Sequence, residues 1–418
     1  MARLPGGDAE LMHMQQAPMR AMGTSGMQRS YDVVIIGGGV IGSSVAYHLS
    51  ANPDFTGRIA VVERDPAYTA SSSSLSTSAI RQQFATPPNI RLSDYSIGFL
   101  RRVRELLSVD GAEAEIGLRE PGYLILGAPD QVPAFQANNA AQRACGINTE
   151  LLSPAEMRQS HPWLRVDDLG IGSYGPEKEG WFDGPALLQA FKRKARAQGV
   201  DYIAGSVAGL DMAGRGQIGA VRLAGGERIA GGTVVNAAGP WSGGIGRMAG
   251  LDVPVVPRKR CVFVFDSPKR IPHGPFIFDT SGFIFRPEGH LYICGVTPPA
   301  ENADDDFSLD VDYALFDEII WPALAHRIPG FEQLRMLRAW AGLYEVNTFD
   351  HSGIVGRHPE VGNLVLACGF SGHGMMHSPA VGAGASEIIV YGESRSVDLK
   401  PFAFERIAAN LPIKEHVY

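Results

Sequence analysis

Short unbroken apolar runs alternate with helical periods in three separated parts of this chain. Residues 32–36 form a β-branched run that reads as a buried strand, and residues 43–50 read as a helix. Residues 58–62 repeat the strand pattern. Residues 89–108 carry Ile97, Leu100, Val103 and Leu107 at helical spacing, with Arg101, Arg102 and Arg104 on the wet side. From 109 to about 180 the rhythm lapses into a short strand at 122–126, an alanine-rich helix near 133–146 and several Pro/Trp turns. It returns with a helix at 185–198, a strand at 200–204, ladder strands at 219–223 and 228–229, and a buried strand at 233–236. Residues 253–296 then alternate like an antiparallel sheet, and 311–327 reads as helical with a break at Trp321-Pro322. The last block is a buried strand at 364–367, a glycine-rich turn and a helix from about 378 to 391.

This order predicts an α/β fold with an α+β second domain. A Rossmann-like nucleotide-binding domain is assembled from residues 31–108, 180–250 and 350–395. The insertions 109–179 and 251–349 build an antiparallel-sheet domain, residues 1–30 form a flexible leader, and residues 396–418 form a C-terminal tail.

The first unit carries the chemistry. The strand runs into Gly37-x-Gly39-x-x-Gly42, where Gly37 makes a tight turn, Gly39 admits a pyrophosphate and Gly42 lets the helix pack close. The helix offers unpaired N–H groups and the positive end of its dipole to phosphates. Glu63 closes the second strand about twenty residues on, where an acid accepts a ribose hydroxyl. A lone glycine motif is weak; strand, glycines, helix, strand and acid in that order specify a dinucleotide site. The hydroxyl-rich stretch Ala70 to Ser78 has no period and reads as a loop, able to line phosphates and the edge of a ring.

Net charge is −7 and there is no long basic run, which argues against nucleic acid and anionic membranes as partners. No apolar run approaches the roughly 20 residues of a membrane span. Cys145, Cys261, Cys294 and Cys368 lack metal spacing and read as reduced packing thiols, and no metal site is expected. The acidic stretch 301–306 reads as a solvated loop, and His351, His358 and His377 as turn and surface residues. The expected location is cytoplasmic, or the mitochondrial matrix in a eukaryote.

Several blocks together resemble one family. They are Gly37 to Gly42 with Glu63-Arg64-Asp65, the serine loop leading into Ile80-Arg81-Gln82-Gln83-Phe84, and Glu179-Gly-Trp-Phe-Asp183. Later come Val235-Asn-Ala-Ala-Gly-Pro-Trp-Ser242, Pro257-Arg-Lys-Arg260, Trp340-Ala-Gly-Leu-Tyr344 and Gly369-Phe-Ser-Gly-His-Gly374. From about Tyr31 to Phe404 the chain resembles the FAD-dependent oxidoreductases of the D-amino-acid-oxidase superfamily. It lies on the side of sarcosine oxidases and dimethylglycine dehydrogenases, and is most similar to mitochondrial members linked to respiratory complex I assembly.

The resemblance implies an extended FAD with its ring under the antiparallel sheet. The cofactor-binding candidates are Gly37, Gly39, Val40, Ile41 and Gly42, with Glu63 and Arg64 near the adenosine. Ser72, Ser73 and Ser74 would lie along the phosphates or ring, Val207 would offer its backbone to adenine, and Ala238, Gly239 and Trp241 would pass under the cofactor. Gly372, His373, Gly374 and Met375 fall at the flavin pyrimidine. Arg81 aligns with the arginine that grips a substrate carboxylate, and Tyr344 with an active-site tyrosine.

Three departures matter. Gly342 stands where sarcosine oxidases tether FAD through cysteine, and serine replaces the tethering histidine of dimethylglycine dehydrogenases, so FAD is expected to be non-covalent. Cys294 and Cys368 are the alternative tethers. Met376 replaces a substrate-pairing lysine, and the oxygen-activating lysine has no counterpart in residues 291–294. The expected function is oxidation of the C–N bond of an amino acid or N-alkyl amino acid, with dioxygen or a quinone or flavoprotein as acceptor. Two alternatives stay open: an assembly flavoprotein without small-molecule turnover, and a 2-hydroxy-acid flavin oxidase.

Overall fold

A computed structural model describes residues 29–415. The leader expected at 1–30 lies almost wholly outside the described residues. Two eight-stranded sheets organise the rest.

The first sheet runs in the order Ile354–Arg357, Leu364–Cys368, Arg228–Asn236, Arg29–Ile36, Ile59–Glu63, Asp201–Ala204. All pairs but the first are parallel, in registers such as Val33 with Ile59 and Ile36 with Asn236. Strands covered on both faces need apolar residues at successive positions, which is why 33–36 and 59–62 read as unbroken runs. An antiparallel meander, Val207–Gly214 and Gln217–Leu223, extends from Arg228–Asn236.

Two helices share one face of this sheet. Val40–Ala51 packs on Gly374–Tyr391, and the approach is so close that a Cβ at Gly382 would overlap Ser44. The Ser44 hydroxyl donates to Ser378 O at 2.7 Å across the contact. Both helices therefore start beside the carboxyl ends of the central strands, the edge at which open α/β sheets bind ligands.

The second sheet runs Arg335–Asn347, Val255–Asp266, Leu291–Val296, Phe283–Glu288, Phe276–Phe278, Tyr123–Gly127, Ile171–Gly175, Glu150–Leu152. It is antiparallel except where Phe276–Phe278 runs parallel to Tyr123–Gly127. One face is sealed by a phenylalanine-rich core around Phe263, Phe265, Phe285 and Phe331. The other looks toward the first sheet.

The structure departs from the sequence pattern in several places. The helix expected at 89–108 is two, Pro87–Leu100 and Val103–Leu107, because Arg102 leaves helical backbone at φ −109°, ψ 11°. The segments read as 228–229 and 233–236 are one continuous strand. Arg335–Asn347, a 13-residue strand, has no counterpart in the pattern: it is an edge strand whose first half is largely solvent-facing. The expected break at Trp321-Pro322 is a change of helical winding between Leu315–Ile320 and Trp321–Arg327, with no interruption of the chain's course.

His358 and His377 are buried at 2% and 1% exposure, so the surface reading of both is corrected. His377 sits beside Ser93 Oγ at 3.1 Å, and burial pushes its pKa down to about 3. The described part of the C-terminal segment is fastened down. Arg406 makes a two-point pair with the buried Asp350, and Glu415 accepts from Thr86 N and Asn89 Nδ2 at the start of Pro87–Leu100. No helix among the described residues is long and apolar enough to cross a membrane.

Candidate active site

One cavity of about 1200 Å³ lies between the two sheets. Of the residues singled out from the sequence, Gly37, Gly39, Val40, Ile41, Glu63, Arg64, Ser72, Ser73, Val207, Ala238, Gly239, Trp241, Gly372, His373, Gly374, Met375, Arg81 and Tyr344 all line it. Gly42 and Ser74 do not.

Gly42 is a packing residue, because a Cβ there would overlap the carbonyl of Gly37. Gly37 adopts φ +99°, and a side chain would strike the Ala237 carbonyl. Gly39 differs: its φ of −60° is ordinary, and the nearest atom to a Cβ is Ser73 Oγ at 3.2 Å. The space beside Gly39 opens into the cavity, where Val40 N donates to Ser73 Oγ at 2.9 Å at the helix N-terminus. The Glu63 carboxylate accepts from Gly38 N and from Asp65 N, both at 2.8 Å, which fixes the glycine turn and leaves further acceptor sites. Arg64 stacks over the Trp241 ring at 3.4 Å, and Trp241 stacks in turn on Phe307 at 5.1 Å.

The serine tract is tied down rather than loose. Ser72 Oγ donates to Leu343 O at 2.5 Å, and Trp340 Nε1 donates to Leu75 O at 3.0 Å, binding the loop to the Arg335–Asn347 strand. Ser74 turns back on Ser71, its N–H and hydroxyl both 3.1 Å from Ser71 Oγ, which takes it off the cavity wall.

The opposite end is built around the turn at 369–374. Gly372 has φ +94° and no room for a Cβ against the Tyr344 ring. Ser371 N donates to Glu345 O, and Gly369 N to the Glu345 carboxylate at 3.1 Å; burial pushes the Glu345 pKa up to about 7. His373 lies 3.1 Å from Arg81 Nη2, and burial, with Arg81 beside it, holds its pKa well below the ordinary value. His373 is therefore neutral, and Nε2 accepts from the guanidinium. Arg81 also donates to Gln83 O at 3.1 Å and stands over the Phe84 ring. Its loop hangs on the buried Glu179, which accepts from Gln82 N at 2.6 Å and Gln83 Nε2 at 2.7 Å. Burial pushes the Glu179 pKa up to about 7.

Sequence reasoning missed several lining residues. Tyr123, Phe276, Phe278 and Ile284 form an apolar wall from the second sheet, and no local pattern marks them as cavity residues. Arg260 also lines the cavity, making a two-point pair with Glu301 at 2.6 and 2.8 Å, while Arg258 meets Asp304 at 2.6 Å. The solvated-loop reading of 301–306 is thereby corrected in part: two arginines on one strand face clip this loop to the cavity rim. Cys294 and Cys368 are buried off the wall, and burial raises both thiols. Gly342, at the wall, offers no side chain.

The cavity accommodates an extended dinucleotide cofactor. It has a helix N-terminus for phosphates at one end, a second helix N-terminus behind a turn of N–H groups at the other, and glycines where a side chain would intrude.

Comparison with known proteins agrees. The profile of a family described as DAO, FAD dependent oxidoreductase, matches residues 32–388. The chain is 39% identical to FAD-dependent oxidoreductase domain-containing protein 1 of Xenopus laevis, over 92% of this chain and 84% of that protein. It is 29% identical to the mitochondrial sarcosine dehydrogenase of Mus musculus over 89% of this chain, which spans 41% of that protein. Among solved structures it resembles L-proline dehydrogenase from P. horikoshii, with TM-score 0.82, 26% identity, and coverage of 93% of this chain and 100% of that one.

Proposed function

Because the chain belongs to the DAO family of FAD-dependent oxidoreductases, we propose that it oxidises the C–N bond of an amino acid or N-alkyl amino acid. The observation that carries this reading is Arg81. It is a buried guanidinium on the cavity wall, oriented by a neutral histidine and a backbone carbonyl next to the turn at 372–374. A planar guanidinium fork suits a carboxylate.

FAD, when bound, supplies the acceptor for a hydride from the carbon next to an unprotonated amine. The protein's share is orientation and environment. Arg81 holds the carboxylate, and Tyr344 supplies a hydroxyl for the amine or carboxylate. The apolar second-sheet face keeps water out, and the N–H groups of Gly372 and Gly374 favour negative charge at the pyrimidine end, that of His373 being held by Phe370 O. The imine product then hydrolyses in water. Anaerobic mixing with amino acids, their decarboxylated amines and 2-hydroxy acids tests the reading. Amino acids bleach the flavin absorbance fastest. Bleaching by hydroxy acids alone would replace the proposal with alcohol oxidation, and bleaching by none would favour a flavoprotein without small-molecule turnover.

Two further outcomes follow from the cavity wall. With Gly342 in place of a tethering side chain, the Cys261 thiol packed in the phenylalanine-rich core and accepting from Asp312 N at 3.4 Å, and Cys294 and Cys368 buried elsewhere, FAD is held non-covalently. The protein is expected to purify yellow and release its flavin into the supernatant on heat or acid precipitation; flavin left on the precipitate would refute this. No lysine lines the cavity among the described residues. Turnover with a dye or quinone acceptor should therefore exceed turnover with dioxygen, and peroxide formation in air at the dye rate would refute that expectation. On this reading the acceptor is a quinone or another flavoprotein, and a mitochondrial matrix location in a eukaryote is in keeping with the mitochondrial relative.

A further inference from the structure

Tyr123 is buried at 5% exposure, yet its side chain lines the cavity. Its hydroxyl has no hydrogen-bonding partner among the described residues, and the groups acting on it electrostatically are Arg81, Glu179 and Tyr344. Tyr344, likewise on the cavity wall, is acted on by Arg81 and Arg260, and its hydroxyl has no hydrogen-bonding partner among the described residues. Neither hydroxyl is among the polar atoms sealed in the interior without a partner, so both are open to the cavity. Tyr123, Tyr344 and Arg81 all belong to the wall of this one cavity, where a ligand can bond to the two hydroxyls and the guanidinium together.

The ring of Tyr123 has a separate job. Parallel register sets it opposite Phe276, and the two rings stack at 4.5 Å with 11° between planes. Phe278 follows two residues on, on the same face, and its antiparallel partner is Ile284. All four line the cavity. The result is a flat apolar wall that begins at a polar hydroxyl next to Arg81.

We propose that Tyr123 is a substrate-binding residue of this site. Its hydroxyl joins Arg81 and Tyr344 on the substrate carboxylate, and its ring, with Phe276, Phe278 and Ile284, selects amino acids bearing a ring-sized apolar group. This rests on the carboxylate-anchoring role of Arg81 proposed above. A small substrate such as a bare two-carbon amino acid leaves the wall uncovered and forfeits the burial of apolar surface that a larger one gains.

The test needs no turnover. Purified FAD-loaded protein is titrated with acetate and with benzoate, following the flavin absorption band, for wild type, Tyr123→Phe and Phe276→Leu. Wild type binds benzoate at least about tenfold more tightly than acetate. Tyr123→Phe keeps the ring stack, so flavin content and melting temperature stay unchanged, while both carboxylates weaken by about tenfold. Phe276→Leu lowers the preference for benzoate and leaves acetate within about twofold. Equal wild-type affinity for the two carboxylates, or Tyr123→Phe binding both as wild type does, would overturn the proposal and leave the Arg81 reading standing. Absence of any carboxylate effect on the wild-type flavin would remove the Arg81 reading, and this proposal with it.

Discussion

Gly39→Val is expected to give a soluble, folded protein that has lost its flavin, with FAD affinity down by more than about a hundredfold, or roughly 3 kcal/mol. Gly39 has backbone angles that any residue adopts, and its Cβ position meets only the Ser73 hydroxyl at 3.2 Å. The branched side chain therefore enters the cavity beside the Val40 N–H, where a phosphate would sit, and leaves the fold alone. The cost at the helix cap is small, about 1 kcal/mol. Valine at Gly37 or Gly42 acts differently, because the first side chain would overlap the Ala237 carbonyl beyond the neighbouring strand and the second the Gly37 carbonyl of the turn. Those two variants should fall in yield and melting temperature, with flavin loss as a consequence. Flavin absorbance per protein and the melting temperature of the flavin-free forms separate the two behaviours. A Gly39→Val protein that purifies with full flavin would reduce the glycine motif to an ordinary turn.

Arg81→Ala should lower kcat/KM for a carboxylate-bearing substrate by roughly ten- to hundredfold, the loss of a charge-assisted hydrogen bond worth about 1.5–3 kcal/mol. The same variant should change little for the decarboxylated amine. Arg81→Lys recovers only part of the loss, since an ammonium does not make two parallel bonds. The residue is also woven into its surroundings, donating to Gln83 O and His373 Nε2 inside a loop anchored on Glu179. Removing the guanidinium leaves two buried acceptors short of a donor, so the melting temperature should drop by about a few degrees. This stability effect falls on both substrates alike. Flavin-reduction rates for an amino acid and its amine, compared in each variant, therefore isolate the binding role. Equal losses for the two would assign Arg81 to structure alone.

The way Arg81 is held also shows where sequence reading stops. The glycine motif, the strand before it, the helix after it and Glu63 were legible because each signal is local. A turn that needs φ +99°, a helix start and a fully covered parallel strand are dictated by residues within a few positions of one another. The family blocks carried Arg81, Tyr344 and the turn at 372–374 onto this chain, and the structure gathers them on one cavity. What the sequence did not reveal is how they meet. His373 reaches Arg81 across 292 residues, and Arg260 reaches Glu301 across 41. Neither side chain's immediate neighbours specify its partner.

Sequence alone determined the half of this protein that carries the glycine motif, because that turn is made of backbone, and glycine spacing is a direct instruction to the backbone. Only the tertiary structure decided the other half. Tyr123 becomes a cavity residue because its short strand pairs in parallel with Phe276–Phe278 and turns one face toward the first sheet. The Arg335–Asn347 strand, invisible in the hydrophobic pattern because half of it faces solvent, brings Tyr344 and Glu345 against the turn at 369–374. The proposed substrate contacts come from side chains on different strands. Which of them share a face is set by register between distant segments, and register is a property of the assembled sheet.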